Sequence, residues 1–143
     1  MDNIRYDFEV EKDDFERAGE ASSNIKKILR QLGLNSGIIR RVSIAAYEAE
    51  INLVIHSNGG SIGIEIDPEK VTIYANDKGP GIKDVELAMK EGYSTASDRI
   101  REMGFGAGMG LPNMKKCSDN FCIDSVLGQG TFIVMKMYLK DGD

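Results

Sequence analysis

The chain is 143 residues long, enough for one domain with a buried core, and 41% of it is hydrophobic. Its net charge of −5 excludes the basic surface needed for nonspecific binding to nucleic acid or to an acidic membrane. No apolar run is long enough to cross a bilayer, and the only cysteines, Cys117 and Cys122, form a C-x4-C pair that matches no zinc pattern, so a single cytoplasmic domain with reduced, partly buried thiols is expected.

Ile4, Tyr6, Phe8 and Val10 alternate with polar residues, the period of a half-buried strand. Asp13 and Glu16 have capping-box spacing, and Phe15, Ala18, Ser22, Ile25, Leu29 and Leu32 recur at helical intervals up to Gly33, which predicts an amphipathic helix over that stretch. A second helix is predicted from about Ser36, with Val42, Ala45, Ala46, Ala49 and Leu53 on one stripe, ending at Asn58-Gly59-Gly60. Ile62, Ile64 and Ile66, the turn residues Asp67-Pro68-Glu69-Lys70, and Val71, Ile73 and Ala75 spell a hairpin. A short helix over about 83–91, a long polar and glycine-bearing stretch from Gly92 to Gly108, a helix from about Leu111 to Ser118, and strands over 120–126 and 131–139 complete the chain. Strands and helices are partly segregated, which favours an α+β fold: a mainly antiparallel sheet with helices on one face.

Four pieces carry chemistry. Glu48-Ala49-Glu50-Ile51-Asn52 places Glu48 and Asn52 one turn apart beside the apolar stripe, where a carboxylate and a carboxamide can meet a metal; Glu50 falls on nearly the opposite side and is expected to be dispensable. Taken alone the pair is equally the solvated flank of a helix. Asp77-Lys78-Gly79-Pro80-Gly81-Ile82 ends a strand with a carboxylate that can accept from an amine, although Asp-x-Gly-x-Gly is also an ordinary turn. Gly104, Gly106, Gly108 and Gly110 alternate with Phe105, Ala107 and Met109 just before a helix, so backbone amides and a helix N-terminus can approach anionic oxygens. The run lacks the G-K-[ST] of a Walker loop, and Lys115 and Lys116 fall inside the helix that follows. Gly128-Gln129-Gly130-Thr131 opens the last strand.

In this order the four pieces resemble the GHKL ATP-binding superfamily over about Ser36 to Met137. Glu91-Gly92-Tyr93-Ser94-Thr95 and Gly110-Leu111-Pro112 are similar to the bacterial anti-sigma factors and serine/threonine switch kinases within it. The resemblance implies a two-layer Bergerat-type α/β sandwich over residues 1–143 with an ATP lid at about 92–110. It also implies Mg2+ held by Asn52, Glu48 as general base or water-polarising carboxylate, Asp77 accepting from the adenine amine, and Thr131 supporting adenine recognition. Gly79, Gly81, Ile82, Gly104, Gly106, Gly108, Gly110 and Leu111 would be nucleotide contacts. The segment Ala96 to Met103 is longer than expected of a switch-kinase lid, and Arg99 and Arg101 within it are either solvated or directed at phosphate or a partner. His56, the sole histidine, is a poor phosphoacceptor because the chain lacks the dimerisation helix pair of histidine kinases.

The expected activity is therefore phosphotransfer from ATP to a serine or threonine of a STAS-domain anti-sigma antagonist. The alternative is an anti-sigma factor that sequesters a sigma factor according to its nucleotide state. Both readings admit a homodimer, and neither involves nucleic acid or a membrane.

Overall fold

The structure, a computed structural model, describes residues 3–56, 59–78, 89, 110–126 and 128–139. Its strands are β1 (Ile4–Val10), β2 (Gly60–Ile66), β3 (Lys70–Asp77), β4 (Asn120–Val126) and β5 (Gly130–Tyr138). They form one sheet in the order β1-β2-β3-β5-β4, with every neighbouring pair antiparallel. The helices among the described residues are α1 (Glu20–Gln31), α2 (Ser36–His56) and α3 (Gly110–Cys117). Apart from Met89, which packs against the core, the expected short helix over 83–91 and the glycine-bearing stretch from 92 to 108 lie outside the described residues.

Strand alternation builds the core. Ile62, Ile64 and Ile66 of β2, Val71, Ile73 and Ala75 of β3, and Ile133, Met135 and Met137 of β5 are buried in one cluster with Ile25 and Leu29 of α1, Val42, Ala45, Ala46, Ala49 and Leu53 of α2, and Leu111 and Met114 of α3. Each large aliphatic side chain so buried contributes about 1.5–3 kcal/mol. α2 packs against β1, β2, β3 and β5, with α1 and α3 both packed on it, which is the two-layer α+β arrangement. On the other face Arg5 lies 4.5 Å over the Tyr74 ring, and Tyr74 stacks on Phe132 at 6.2 Å.

The predicted hairpin turn forms by the chemistry its residues offer. The Asp67 carboxylate accepts from the Glu69 and Lys70 amides at 2.7 and 2.9 Å and pairs with Lys70 Nζ at 3.2 Å. Before α2, Asn35 Oδ1 accepts from the Gly37 amide at 2.7 Å, a side-chain cap on the helix that carries the site.

The first helix begins later than its periodicity predicts. Asp13 takes a left-handed backbone, φ 59°, and its amide bonds the Val54 carbonyl oxygen at 2.9 Å, so the chain turns back onto α2 before α1 starts at Glu20. Phe15 and Ala18 still pack against the core, but from turns, and Leu32, expected on the apolar stripe, is exposed.

That late start leaves α1 without a local cap, because the residue before it is Gly19, which has no side-chain oxygen to accept from the first amides. Glu50 of α2 supplies the cap instead. Its Oε2 accepts from the Ala21 amide at 3.1 Å and its Oε1 from the Ser22 amide at 3.0 Å, and Glu50 is only 2% exposed. The side of α2 facing away from Glu48 is thus occupied by α1, and the expectation that Glu50 is dispensable is overturned. A carboxylate accepting two amides at a helix N-terminus is charge-assisted and favoured by the helix dipole. Glu50→Ala orphans both amides and is expected to destabilise the fold by on the order of 3 kcal/mol, read as a lowered urea midpoint at unchanged slope. A loss below about 0.5 kcal/mol, the range of ordinary surface substitutions, would show that solvent replaces the cap without cost.

Candidate functional site

Two groups of predicted residues come together at separate places on the fold. The first lies between α2 and α3. With Glu50 held on α1, the flank of α2 carrying Glu48 and Asn52 faces the start of α3. A Cβ built on Gly110 would lie 3.1 Å from Asn52 Oδ1 and 3.3 Å from Glu48 Oε2. A side chain there would make both polar side chains give by a few tenths of an ångström. The last glycine of the predicted loop therefore abuts the carboxylate and carboxamide.

Several features hold α3 in that place. Pro112 sits in its first turn, where a missing N–H costs nothing, and is buried with Leu111 and Met114 against the core. At the far end Arg41 of α2 donates to the Cys117 carbonyl oxygen at 3.5 Å and pairs with Asp119 at 3.2 Å, while Asp119 accepts from the Tyr138 amide of β5 at 2.8 Å. The ion pair, about a third exposed on each side, adds about 0–1 kcal/mol; its use is to tie α2, α3 and β5 at one point.

Glu48 is half-buried, and burial pushes its carboxyl above the usual glutamate range, against a hydrogen bond from the Asn113 side chain that favours the charged form. Asn113 was not among the residues picked from the sequence. Its signal was available: it stands three residues after Gly110, one helical turn along the same side of α3. The Cys117 thiol, also on α3, is raised by burial and by the Glu48 charge, with Arg41 and Arg40 opposing, so it is a poor nucleophile. Cys117 is partly buried as expected; Cys122 is exposed instead, on the outward-facing register of β4.

The second group lies at one end of the sheet. Asp77 is the last residue of β3, with Gly60 of β2 as its register partner on one side and Thr131 of β5 on the other. Gly130, at φ 125°, presses against the Asp77 backbone so closely that a Cβ would collide with the Asp77 carbonyl oxygen. Thr131 is 5% exposed, and its Oγ1 lies 2.8 Å from the Ser125 Oγ of β4. The two groups share an end of the molecule, because Leu53, which follows Asn52 on α2, packs over Gly60, beside Asp77.

Of the other predicted contacts, Leu111 is buried in the first turn of α3, and Gly79, Gly81, Ile82, Gly104, Gly106 and Gly108 lie outside the described residues. Among the described residues no three His, Cys, Asp or Glu side chains converge. A metal at the Glu48–Asn52 flank would take most of its ligands from phosphate and water, and a carboxamide oxygen beside bare backbone suits magnesium held in that way. No helix among the described residues is long and apolar enough to cross a membrane.

The chain is similar to known proteins over most of its length. Residues 12–137 match the model of the histidine kinase-like ATPase domain. The chain is 32% identical to the serine/threonine-protein kinase RsbT of Bacillus subtilis over 119 residues, covering 80% of this chain and 84% of that protein. It is 34% identical to the anti-sigma F factor of a Thermoanaerobacter species over 71% of each chain, and 33% identical to that of Clostridium novyi over 81% of this chain and 82% of the other. The matched span holds both groups of site residues, and the chain belongs to the family of histidine kinase-like ATPase domains.

Proposed function

We propose that the chain is a cytoplasmic serine/threonine protein kinase that binds Mg-ATP and passes the γ-phosphate to a hydroxyl of a STAS-domain anti-sigma antagonist. The observation that carries this reading is the half-buried Glu48, set beside Asn52 against the bare backbone of Gly110. A carboxylate so placed is available to an acceptor hydroxyl next to a polyphosphate. Its raised pKa brings it nearer to the basicity a general base needs.

In the proposed reaction the acceptor oxygen forms a bond to the γ-phosphorus, the bond to the β,γ-bridging oxygen breaks, and its electron pair leaves with ADP. The hydroxyl proton passes to Glu48. Mg2+, with Asn52 as its protein ligand, would neutralise charge on the transferring phosphoryl group. Asp77 and Thr131 would hold the adenine. Gly79, Gly81, Ile82, Gly104, Gly106, Gly108, Gly110 and Leu111 would contact the nucleotide, with 92–110 as the lid of a single domain spanning 1–143.

RsbT, a relative named as a serine/threonine-protein kinase, supports the reading. The anti-sigma F factors at 33–36% identity support a second one, a protein that sequesters a sigma factor and, as a homodimer or otherwise, switches with nucleotide.

Glu48→Gln keeps size and hydrogen bonding but loses the base, so ATP binding should persist while phosphotransfer falls on the order of 10²-fold or more. Labelled ATP with the wild-type chain, the variant and a STAS-domain protein from the same cell measures both. Wild-type protein that binds ATP yet labels no such partner would defeat the kinase reading and promote sigma sequestration. Asn113→Leu, which removes the hydrogen bond to Glu48, is expected to lower transfer about tenfold at unchanged ATP affinity. Equal activity with wild type would make that bond incidental.

Asp77→Asn should weaken Mg-ATP binding by on the order of tenfold or more with the circular dichroism spectrum unchanged, because it replaces the charged acceptor for an exocyclic amine. Wild-type protein should prefer ATP to GTP, whose ring presents an oxygen acceptor to the same carboxylate. Equal affinities by calorimetry would remove Asp77 from purine recognition.

A further inference from the structure

Ser125 is the register partner of Thr131, one strand further from Asp77, so that Asp77, Thr131 and Ser125 stand in a row across β3, β5 and β4 at the same end of the sheet. The Ser125 Oγ lies 2.8 Å from Thr131 Oγ1, at a separation where either hydroxyl can be the donor, and it can also donate to the Gly130 carbonyl oxygen at 3.4 Å, so its one proton has two acceptors of which Thr131 is the nearer. Each hydroxyl carries one proton and accepts through its lone pairs. Thr131 is 5% exposed, so little water competes, and the direction is set by whether the Ser125 proton goes to Thr131 Oγ1 at 2.8 Å or to the Gly130 carbonyl oxygen at the longer 3.4 Å.

The direction decides what Thr131 presents beside Asp77. When Ser125 donates to Thr131, the threonine proton is released and Thr131 is a donor. When Thr131 donates to Ser125, Thr131 offers a lone pair. Adenine shows an amine donor at N6 next to an acceptor at N1, which is the complement of a carboxylate next to a hydroxyl donor. We propose that Ser125 is a positioning residue for adenine recognition: it donates to Thr131 and thereby aims the threonine proton at the N1 edge, directly or through one water. This rests on the reading of Asp77 and Thr131 as the adenine site. It adds a residue that makes no contact with the base itself. The pair can also reverse, so the hydroxyls alone do not reject guanine, and discrimination falls to the Asp77 carboxylate.

The test is calorimetry of Mg-ATP and of Mg-1-deaza-ATP, which carries a C–H at the N1 position, on the full chain. The forms compared are wild type, Ser125→Ala, Ser125→Thr, Thr131→Val, Asp77→Asn and the Ser125→Ala/Thr131→Val double variant, each checked for folding by thermal melt. Ser125→Ala is expected to weaken ATP about tenfold and Ser125→Thr, which keeps the hydroxyl, by less than about threefold. The double variant should bind no more than about twofold worse than Thr131→Val, since one residue acts through the other. For 1-deaza-ATP, wild type and Ser125→Ala should be alike, which a merely structural role of Ser125 would not produce. Wild-type ATP affinity in Ser125→Ala, an additive double variant, or the same loss toward both nucleotides would overturn the proposal while leaving the adenine site standing. If Thr131→Val and Asp77→Asn both bind ATP as wild type does, the adenine site itself falls, and the role of Ser125 with it. Should Ser125→Ala fail to fold, Ser125→Cys is measured in its place, with the same expected loss because the thiol is a weak donor.

Discussion

The bidentate hold of Glu50 on the first amides of α1 fixes α2 about its own axis, and the site follows from that rotation. At about 100° per residue, Glu48 and Glu50 stand about 200° apart on the helix. Turning Glu50 into the N-terminus of α1 therefore turns Glu48, and Asn52 one turn on, away from α1 and toward α3. The apolar stripe through Val42, Ala45, Ala49 and Leu53 fixes which side of α2 meets the sheet. A buried charge is a costly way to set a helix phase unless it is fully partnered. The two amide donors, which would otherwise be orphaned at the helix start, partner it.

The opposite flank of α2 is treated differently. Glu48 is only half-buried and carries one named side-chain partner, Asn113, so burial and hydrogen bonding pull its affinity for a proton in opposite directions and burial prevails. One helix thus carries two carboxylates two residues apart in different places: Glu50 accepts one backbone amide on each oxygen and serves the fold, while Glu48 lies beside the start of α3.

Much of this was legible in the sequence, and the failures have physical causes. Period-two runs over Ile62 to Ile66 and Val71 to Ala75 predicted β2 and β3 because both have one face on the core, and Asp67 named its own turn. The phase of α2 was also legible, which is why Glu48 and Glu50 were separated correctly. The use of the Glu50 side was not, because its partners Ala21 and Ser22 lie 29 and 28 residues away and the contact is purely tertiary. The start of α1 was misplaced because Phe15 and Ala18 keep helical spacing while packing from turns, and only the left-handed Asp13 and the bare Gly19 mark the boundary. Asn113 and Ser125 escaped because each acts on another side chain, Glu48 or Thr131, and carries no motif of its own.

The division of the site over two structural layers bears on how recognition and chemistry are separated. Asp77, Thr131 and Ser125 sit on three adjacent strands whose registers are locked by antiparallel ladders, and a sheet end of this kind holds its side chains to a fixed spacing. Glu48 and Asn52 sit on a helix flank facing α3, an eight-residue helix whose position depends on a few buried side chains and the Arg41 tie. Helix packing of that size yields more readily than a five-stranded ladder, so the rigid half is suited to reading a planar base and the adjustable half to a transferring phosphoryl group. Leu53 over Gly60 joins the two halves, and any movement of α2 relative to β2 would be felt at the register partner of Asp77. Under the proposed function, coupling between nucleotide identity and phosphate chemistry needs no long pathway: one packed leucine, the residue after Asn52, reaches the strand beside Asp77.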